Sequence, residues 1–222
     1  MGTATSLSGA PLAAPDGTLV HVGDFAMGRT PHFLASGDFN QDGSMDLAVP
    51  VYSDDQVSVL PGRGDGTFGP AVKFGAGDGP TDAAAADLNG DSRLDLVVAN
   101  YESRTISVHL GQGDGTFVAL TNYPADQTTY VVKLADLNHD GRWDAVAAAI
   151  NADKVCVFLG QGDGTFAPAV KYDAGDGPHS VTVADLNGDT HPDLVVPDYQ
   201  ANTIAFLRGA GDGTFAAPVL IE

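Results

Sequence analysis

DFNQDGSMD, residues 38–46, recurs as DLNGDSRLD at 87–95, DLNHDGRWD at 136–144 and DLNGDTHPD at 185–193, each copy 49 residues after the one before. Every copy has Asp at its first, fifth and ninth positions and Asn at its third. A second phrase, DGTF, keeps the same interval at 65–68, 114–117, 163–166 and 212–215. A degenerate copy, DGTL at 16–19, lies one period before the first DGTF. Gly28, Gly77 and Gly175 are each followed three residues on by Pro31, Pro80 and Pro178, a pair that the third repeat replaces with Asp126 and Thr129. A fixed period of this length is the mark of a repeat architecture.

Between these phrases, short apolar runs read as four strands per repeat. Strand one is Phe33–Gly37, Asp82–Ala86, Val131–Ala135 and Ser180–Ala184, rich in small residues. Strand two follows the acidic stretch at Leu47–Val51, Leu96–Asn100, Ala145–Ala149 and Leu194–Pro197. Strand three is Val57–Leu60, Thr105–Leu110, Val155–Leu159 and Thr203–Leu207. Strand four follows DGTF, as at Ala71–Phe74, Ala169–Tyr172 and Ala216–Ile221. Asp-Gly between two such runs favours a hairpin, because Gly takes positive φ without steric penalty.

Four antiparallel strands in a repeat of about 40–50 residues describe a propeller blade, with the small-residue strand innermost where blades converge. The expected fold is all-β: a β-propeller of four 49-residue, four-stranded antiparallel blades over 16–222, with repeats at about 32–80, 81–129, 130–178 and 179–222. Residues 1–15 read as an irregular segment and 16–31 as a partial repeat. There Thr18–Phe25 aligns with strand four and makes one extra N-terminal strand. A closed four-bladed ring is one alternative; the orphan strand favours an arc that belongs to a longer propeller or forms a homo-oligomer, since bare blade faces and strand edges favour association. The one Trp-Asp pair, Trp143-Asp144, lies inside an acidic stretch, which argues against WD-type repeats.

The acidic stretch carries the chemistry. Oxygens at alternate positions of a tight loop converge on a point, and hard oxygen donors at that density select Ca²⁺. The expected ligands are Asp38, Asn40, Asp42 and Asp46; Asp87, Asn89, Asp91 and Asp95; Asp136, Asn138, Asp140 and Asp144; Asp185, Asn187, Asp189 and Asp193. The backbone carbonyl of position seven adds Ser44, Arg93, Arg142 and His191, giving up to four ions in all. The alternative for one copy alone is a solvated Asx turn; four copies in register argue against it. An EF-hand would need Glu at position twelve, where this chain has Val49, Val98, Ala147 and Val196. Gly fills position six in loops one and three (Gly43, Gly141), whereas loops two and four have Ser92 and Thr190 and are expected to bind more weakly.

The pattern D-x-N-x-D-G-x-x-D, an apolar strand, G-x-G-D-G-T-F and a further strand resembles the FG-GAP/VCBS repeat family over about residues 16–222. That family forms the head of integrin α subunits and recurs in bacterial adhesins, lectins and polysaccharide-degrading enzymes. The resemblance implies a bacterial-type calcium-binding propeller in which calcium loops join strands one and two on one face. Ligands then meet the opposite face. In this register that face carries His32, Thr81, Tyr130 and His179 at the entry of strand one, and Tyr52, Tyr101 and Tyr199 after strand two, with Ile150 in the third copy. Aromatic rings beside Glu102, Asn151 and Gln200 suit stacking on sugars with hydrogen bonds to hydroxyls. The competing role for the tyrosines is packing between blades.

Composition narrows the classes further. Asp and Glu number 29 against 10 Lys and Arg, a net charge of -19. Such a surface repels nucleic acid and anionic membranes. No apolar run approaches the ~20 residues of a membrane-spanning helix, and no signal peptide is expected in Met1 to Pro15. The single Cys156 reads as a small buried strand residue. Arg63-Gly64-Asp65 belongs to the repeated turn, so its match to an integrin-recognition tripeptide is a coincidence. His139 and His191 lack zinc-spaced partners and read as solvated.

The leading expectation is a secreted or cell-surface, non-enzymatic binding module that recognises carbohydrate or extracellular protein. The runner-up is a polysaccharide lyase using His32, His179 or Tyr130 as acid or base; a structural repeat of a larger surface protein is the third.

Overall fold

The computed structural model describes residues 23–222. The DGTL phrase and most of the expected extra strand at 18–25 lie outside the described residues.

Among the described residues, sixteen strands form four antiparallel sheets, each with its strands in sequential order. The first sheet is β1 (Ala35–Gly37), β2 (Asp46–Val51), β3 (Gln56–Leu60) and β4 (Val72–Gly75). The second is β5 (Pro80–Ala86), β6 (Asp95–Asn100), β7 (Thr105–Gly111) and β8 (Phe117–Pro124). The third is β9 (Thr129–Ala135), β10 (Asp144–Ala149), β11 (Lys154–Phe158) and β12 (Val170–Asp173). The fourth is β13 (Thr182–Ala184), β14 (Asp193–Asp198), β15 (Thr203–Leu207) and β16 (Val219–Ile221).

The last outer strand starts at Val219 and not at the expected Ala216, for a reason visible in the chain. Pro70, Pro168 and Pro218 lack the amide hydrogen that a ladder needs, so β4, β12 and β16 begin only after them. The second repeat has no proline there, and β8 pairs with β7 from Phe117 to Pro124.

Side chains alternate along each strand, so every sheet has two faces. Ala48, Val57 and Val59 of the first sheet meet Leu96 and Val98 of the second. Val97, Ala99, Ile106 and Val108 of the second meet Ala145, Ala147, Cys156 and Phe158 of the third. Val146, Ala148, Val155 and Val157 of the third meet Leu194, Val196, Ala205 and Leu207 of the fourth. Cys156 is thus a buried packing residue. Among the described residues no buried cluster joins the fourth sheet to the first. The fourth-sheet counterparts of the packed face, Val195, Pro197, Ile204 and Phe206, stay at least partly open: Ile204 is 43 % exposed where Val155 is fully buried.

The interface of the first two sheets holds one polar thread. Asn100 Nδ2 donates to Ser107 Oγ at 3.0 Å, and Ser107 Oγ lies 2.9 Å from His109 Nε2. The His109 ring packs on Phe74, centroids 4.9 Å apart, and its Nδ1 has no hydrogen-bond partner. Burial pushes the His109 pKa down from 6.5 to about 4. The unfolded chain therefore takes up this proton at a higher pH than the folded one. The stability that His109 contributes is present above about pH 6.5 and is lost as pH falls toward 4, by at most about 3 kcal/mol. Replacing His109→Leu, the residue type that Leu60 and Leu207 place in this register, is expected to flatten the pH dependence of urea unfolding over that window. An unchanged slope would show that other groups govern acid sensitivity.

Candidate functional site

Each acidic loop joins strands one and two at the same end of its sheet, and the four are held by one repeated network. In loop one, Asp38 accepts from the amides of Asp42 and Gly43 at 3.1 and 2.9 Å. Asn40 Oδ1 accepts from Asp42 N at 2.9 Å, and Asp42 Oδ1 from Ser44 N at 2.8 Å. All four bonds recur in loops two and three, at Asp87, Asn89 and Asp91 and at Asp136, Asn138 and Asp140. In loop four Asp185 accepts from Gly188 and Thr190, with the Asn187 and Asp189 bonds unchanged.

The position-nine carboxylate does something else. Asp46, Asp95, Asp144 and Asp193 are all fully buried. One oxygen accepts from the amide of loop position two, at 3.0 Å for Phe39 and 2.9 Å for Leu88 and Leu137. The other accepts from a glycine sixteen residues on, at 2.7 Å for Gly62 and Gly160 and 2.9 Å for Gly111 and Gly209. Burial raises the pKa of Asp95 and Asp144, and these amide bonds oppose the rise.

That glycine opens the G-x-G-D-G-T-F turn. In the turn, Asp65 Oδ1 accepts from both the amide and the hydroxyl of Thr67 at 2.9 and 2.6 Å, as do Asp114, Asp163 and Asp212 from their threonines. These bonds hold the Asp65 carboxyl below its ordinary pKa. The Arg63-Gly64-Asp65 aspartate is thus an internal brace. The turn also docks on the preceding loop: Gly115 N donates to Phe39 O at 3.0 Å and Gly164 N to Leu88 O at 3.1 Å.

Positions four and six of every loop are left-handed. The φ values are 58° and 85° for Gln41 and Gly43, 76° and 65° for Gly90 and Ser92, 59° and 79° for His139 and Gly141, and 79° and 72° for Gly188 and Thr190. Each loop therefore has one glycine and one strained residue, in alternating order, and glycine content does not separate the loops. The His139 and His191 rings meet at a tilt, centroids 5.7 Å apart; His139 is exposed, whereas His191 is half-buried with its Nδ1 unpartnered.

The donor set of each loop, three carboxylates, an amide oxygen and a carbonyl, has the chemistry of a hard-cation site. In the present arrangement the carboxylates turn onto backbone amides, and among the described residues no three His, Cys, Asp or Glu side chains converge on one metal position.

At the opposite ends of the strands the aromatic residues meet. Tyr52 and Tyr101 lie 6.2 Å apart, Tyr101 and Tyr130 6.2 Å, Tyr130 and His32 6.0 Å, and His32 and Tyr52 5.4 Å, so four rings from three sheets form a closed cycle. Tyr130 continues to His179 at 4.9 Å, and His179 to Tyr199 at 5.9 Å. His32, His179 and Tyr199 are exposed; the other tyrosines are half-buried. Phe33, which spacing places in strand one, instead precedes β1 and packs on Tyr130 at 5.7 Å. Tyr52 Oη donates to Glu102 at 2.5 Å, which raises its pKa to about 12 and keeps it neutral. Thr81 does not join this surface: it is fully buried, and its hydroxyl donates to the Tyr130 carbonyl at 2.7 Å.

Residues 38–98, 87–147 and 136–196 each match the model of the FG-GAP-like repeat family. No curated protein matches the chain significantly. A crystal structure of a protein from Lactobacillus plantarum is similar at 20% identity and a TM-score of 0.73, over 94% of this chain and 62% of that one. BBS1N, in a crystal structure of its complex with ARL6DN, is similar at 12% identity and a TM-score of 0.60, over 90% and 59%. A functionally unknown protein from Desulfotomaculum acetoxidans is similar at 13% identity and a TM-score of 0.60, over 86% and 61%. The chain thus spans about three fifths of the length of these structures. Identities this low carry the propeller-like fold alone.

The clamp predicts two unlike glycine effects. A Cβ at Gly160 would lie 2.1 Å from the Trp143 carbonyl oxygen, whereas one at Gly141 meets nothing within 4 Å. Gly141→Ala is expected to cost about 1 kcal/mol of left-handed strain in urea unfolding, and Gly160→Ala about 3 kcal/mol or more. Equal losses would refute a steric requirement at the clamp.

Proposed function

This chain belongs to the FG-GAP-like repeat family, and from that premise we propose that it is a calcium-loaded arc of a β-propeller that binds carbohydrate outside the cell. The observation that carries the ligand reading is the linked set of aromatic rings drawn from all four sheets, at the strand ends opposite the acidic loops. Half-buried tyrosines offer flat apolar faces, and Glu102, Asn151 and Gln200 offer rim hydrogen bonds to sugar hydroxyls. In this reading the four sheets are blades, and the open face with Ile204 receives a neighbouring blade, from a longer ring or from a second copy.

Titration calorimetry against a panel of neutral and acidic oligosaccharides tests the binding surface. Tyr101→Ala and Tyr130→Ala should each weaken binding about tenfold or more, as expected for central aromatic contacts, and Tyr199→Ala less. Absence of binding to every glycan would overturn the reading, and an absorbing unsaturated product from an acidic polysaccharide would replace it with a lyase.

Calcium is supported by the donor sets at 38–46, 87–95, 136–144 and 185–193 and by the net charge of -19. An ion held only by the folded state stabilises it by about 2.7 kcal/mol per site at 100 times its dissociation constant. Chelator is therefore expected to lower the melting temperature, with magnesium restoring it poorly because of its octahedral preference. A melt indifferent to chelator in metal-stripped buffer would remove calcium from the account.

A further inference from the structure

Three of the four acidic loops already hold a cation of their own. Arg93, at loop position seven, places Nη2 2.8 Å and Nε 3.1 Å from Asp91 Oδ2. Arg142, at the same position of loop three, lies 3.9 Å from Asp140 Oδ2. Loop four has His191 at position seven, yet Arg208 from beyond the end of β15 reaches Asp189 Oδ2 at 2.7 Å. Two different sequence positions thus deliver a guanidinium to the same position-five carboxylate.

Loop one differs. Position seven is Ser44, and among the described residues no Lys or Arg pairs with Asp42. The turns show why the arginines are well placed. The position-seven side chain lies over the middle glycine of G-x-G-D-G-T-F, so that a Cβ at Gly113 would fall 2.9 Å from Arg93 Cδ and one at Gly162 3.0 Å from Arg142 Nε. Their stems rest on that glycine while the charge hangs over the loop.

We propose that Arg93, Arg142 and Arg208 are built-in counter-ions that compete with calcium at loops two, three and four, leaving residues 38–46 as the tightest calcium site. The inference rests on the calcium reading above. A guanidinium beside Asp91, Asp140 or Asp189 repels a divalent ion and engages an oxygen that would otherwise face it. Left-handed strain is shared by all four loops and does not oppose this ranking.

The test is calorimetric titration of calcium alone into metal-stripped wild type, Arg93→Met, Arg208→Met and Ser44→Arg, with native mass spectrometry counting the ions bound. Wild type is expected to show one site tighter than the rest. Arg93→Met and Arg208→Met should each tighten a further site by about tenfold, and Ser44→Arg should weaken the tightest by about the same factor, the order set by one unit charge near a divalent ion at an exposed loop. If a variant fails to fold, the remaining two still decide the ranking. Calcium bound with unchanged affinities in the folded variants would overturn the arginine role while leaving the calcium reading standing. No heat and no adducts in any protein would overturn both.

Discussion

The structure depends on a buried carboxylate that accepts from two backbone amides far apart in sequence. Asp46, Asp95, Asp144 and Asp193 each tie position two of their loop to the glycine that opens the next turn. Strands two and three lie between these anchors, so one side chain sets both ends of the hairpin. Burying a charge without partners is costly, and bonds from N–H groups to a charged acceptor contribute about 1.5–3 kcal/mol each. Losing either amide would leave a buried, half-satisfied carboxylate. That explains why the glycine at the other end presses against the carbonyl of position eight with no room for a Cβ.

Because the clamp repeats every 49 residues, so does the face that each sheet shows its neighbour. Val97, Val146 and Val195 are one position seen three times, as are Ile106, Val155 and Ile204. The first two of each set are buried between sheets; the last is open or half-open. The chemistry of the position is constant and only the occupant differs. The exposure of Ile204 therefore follows from the lack, among the described residues, of a sheet packed on that face, and not from a polar choice of residue there.

Periodicity made most of this legible. The strands, the hairpins, the acidic loops and the buried Cys156 all follow from spacing and alternation, which are local. Lateral geometry is not local, and there the sequence was silent. It places Tyr52, Tyr101 and Tyr130 on one edge but cannot show that His32 closes a cycle with them. Thr81 shares a register with His32, Tyr130 and His179, yet lies under Tyr130. His109 reads as one more strand residue until Phe74 of the neighbouring sheet is seen to cover it. In the sequence the position-nine aspartates read like those at positions one and five; only their amide partners show that they also tie the loop to the turn.

The two ends of the strands carry different degrees of internal saturation, and this decides where each can act. At the loop end nearly every carboxylate oxygen already has an amide or a guanidinium, and the turns of one repeat are tied to the loops of the repeat before it. Such an end is stiff, and what it can still accept is charge. At the other end the rings meet one another edge-on or tilted while His32, His179 and Tyr199 keep open faces. Those rings are positioned by strands that the clamps hold at their far ends. In the proposed sugar-binding role, an array of aromatic faces held by strands would lose little conformational freedom, so its apolar area would convert to affinity more fully than the same rings on mobile loops. The repeat therefore couples its two edges mechanically: the acidic end fixes the strands, and the aromatic end uses the fixed geometry.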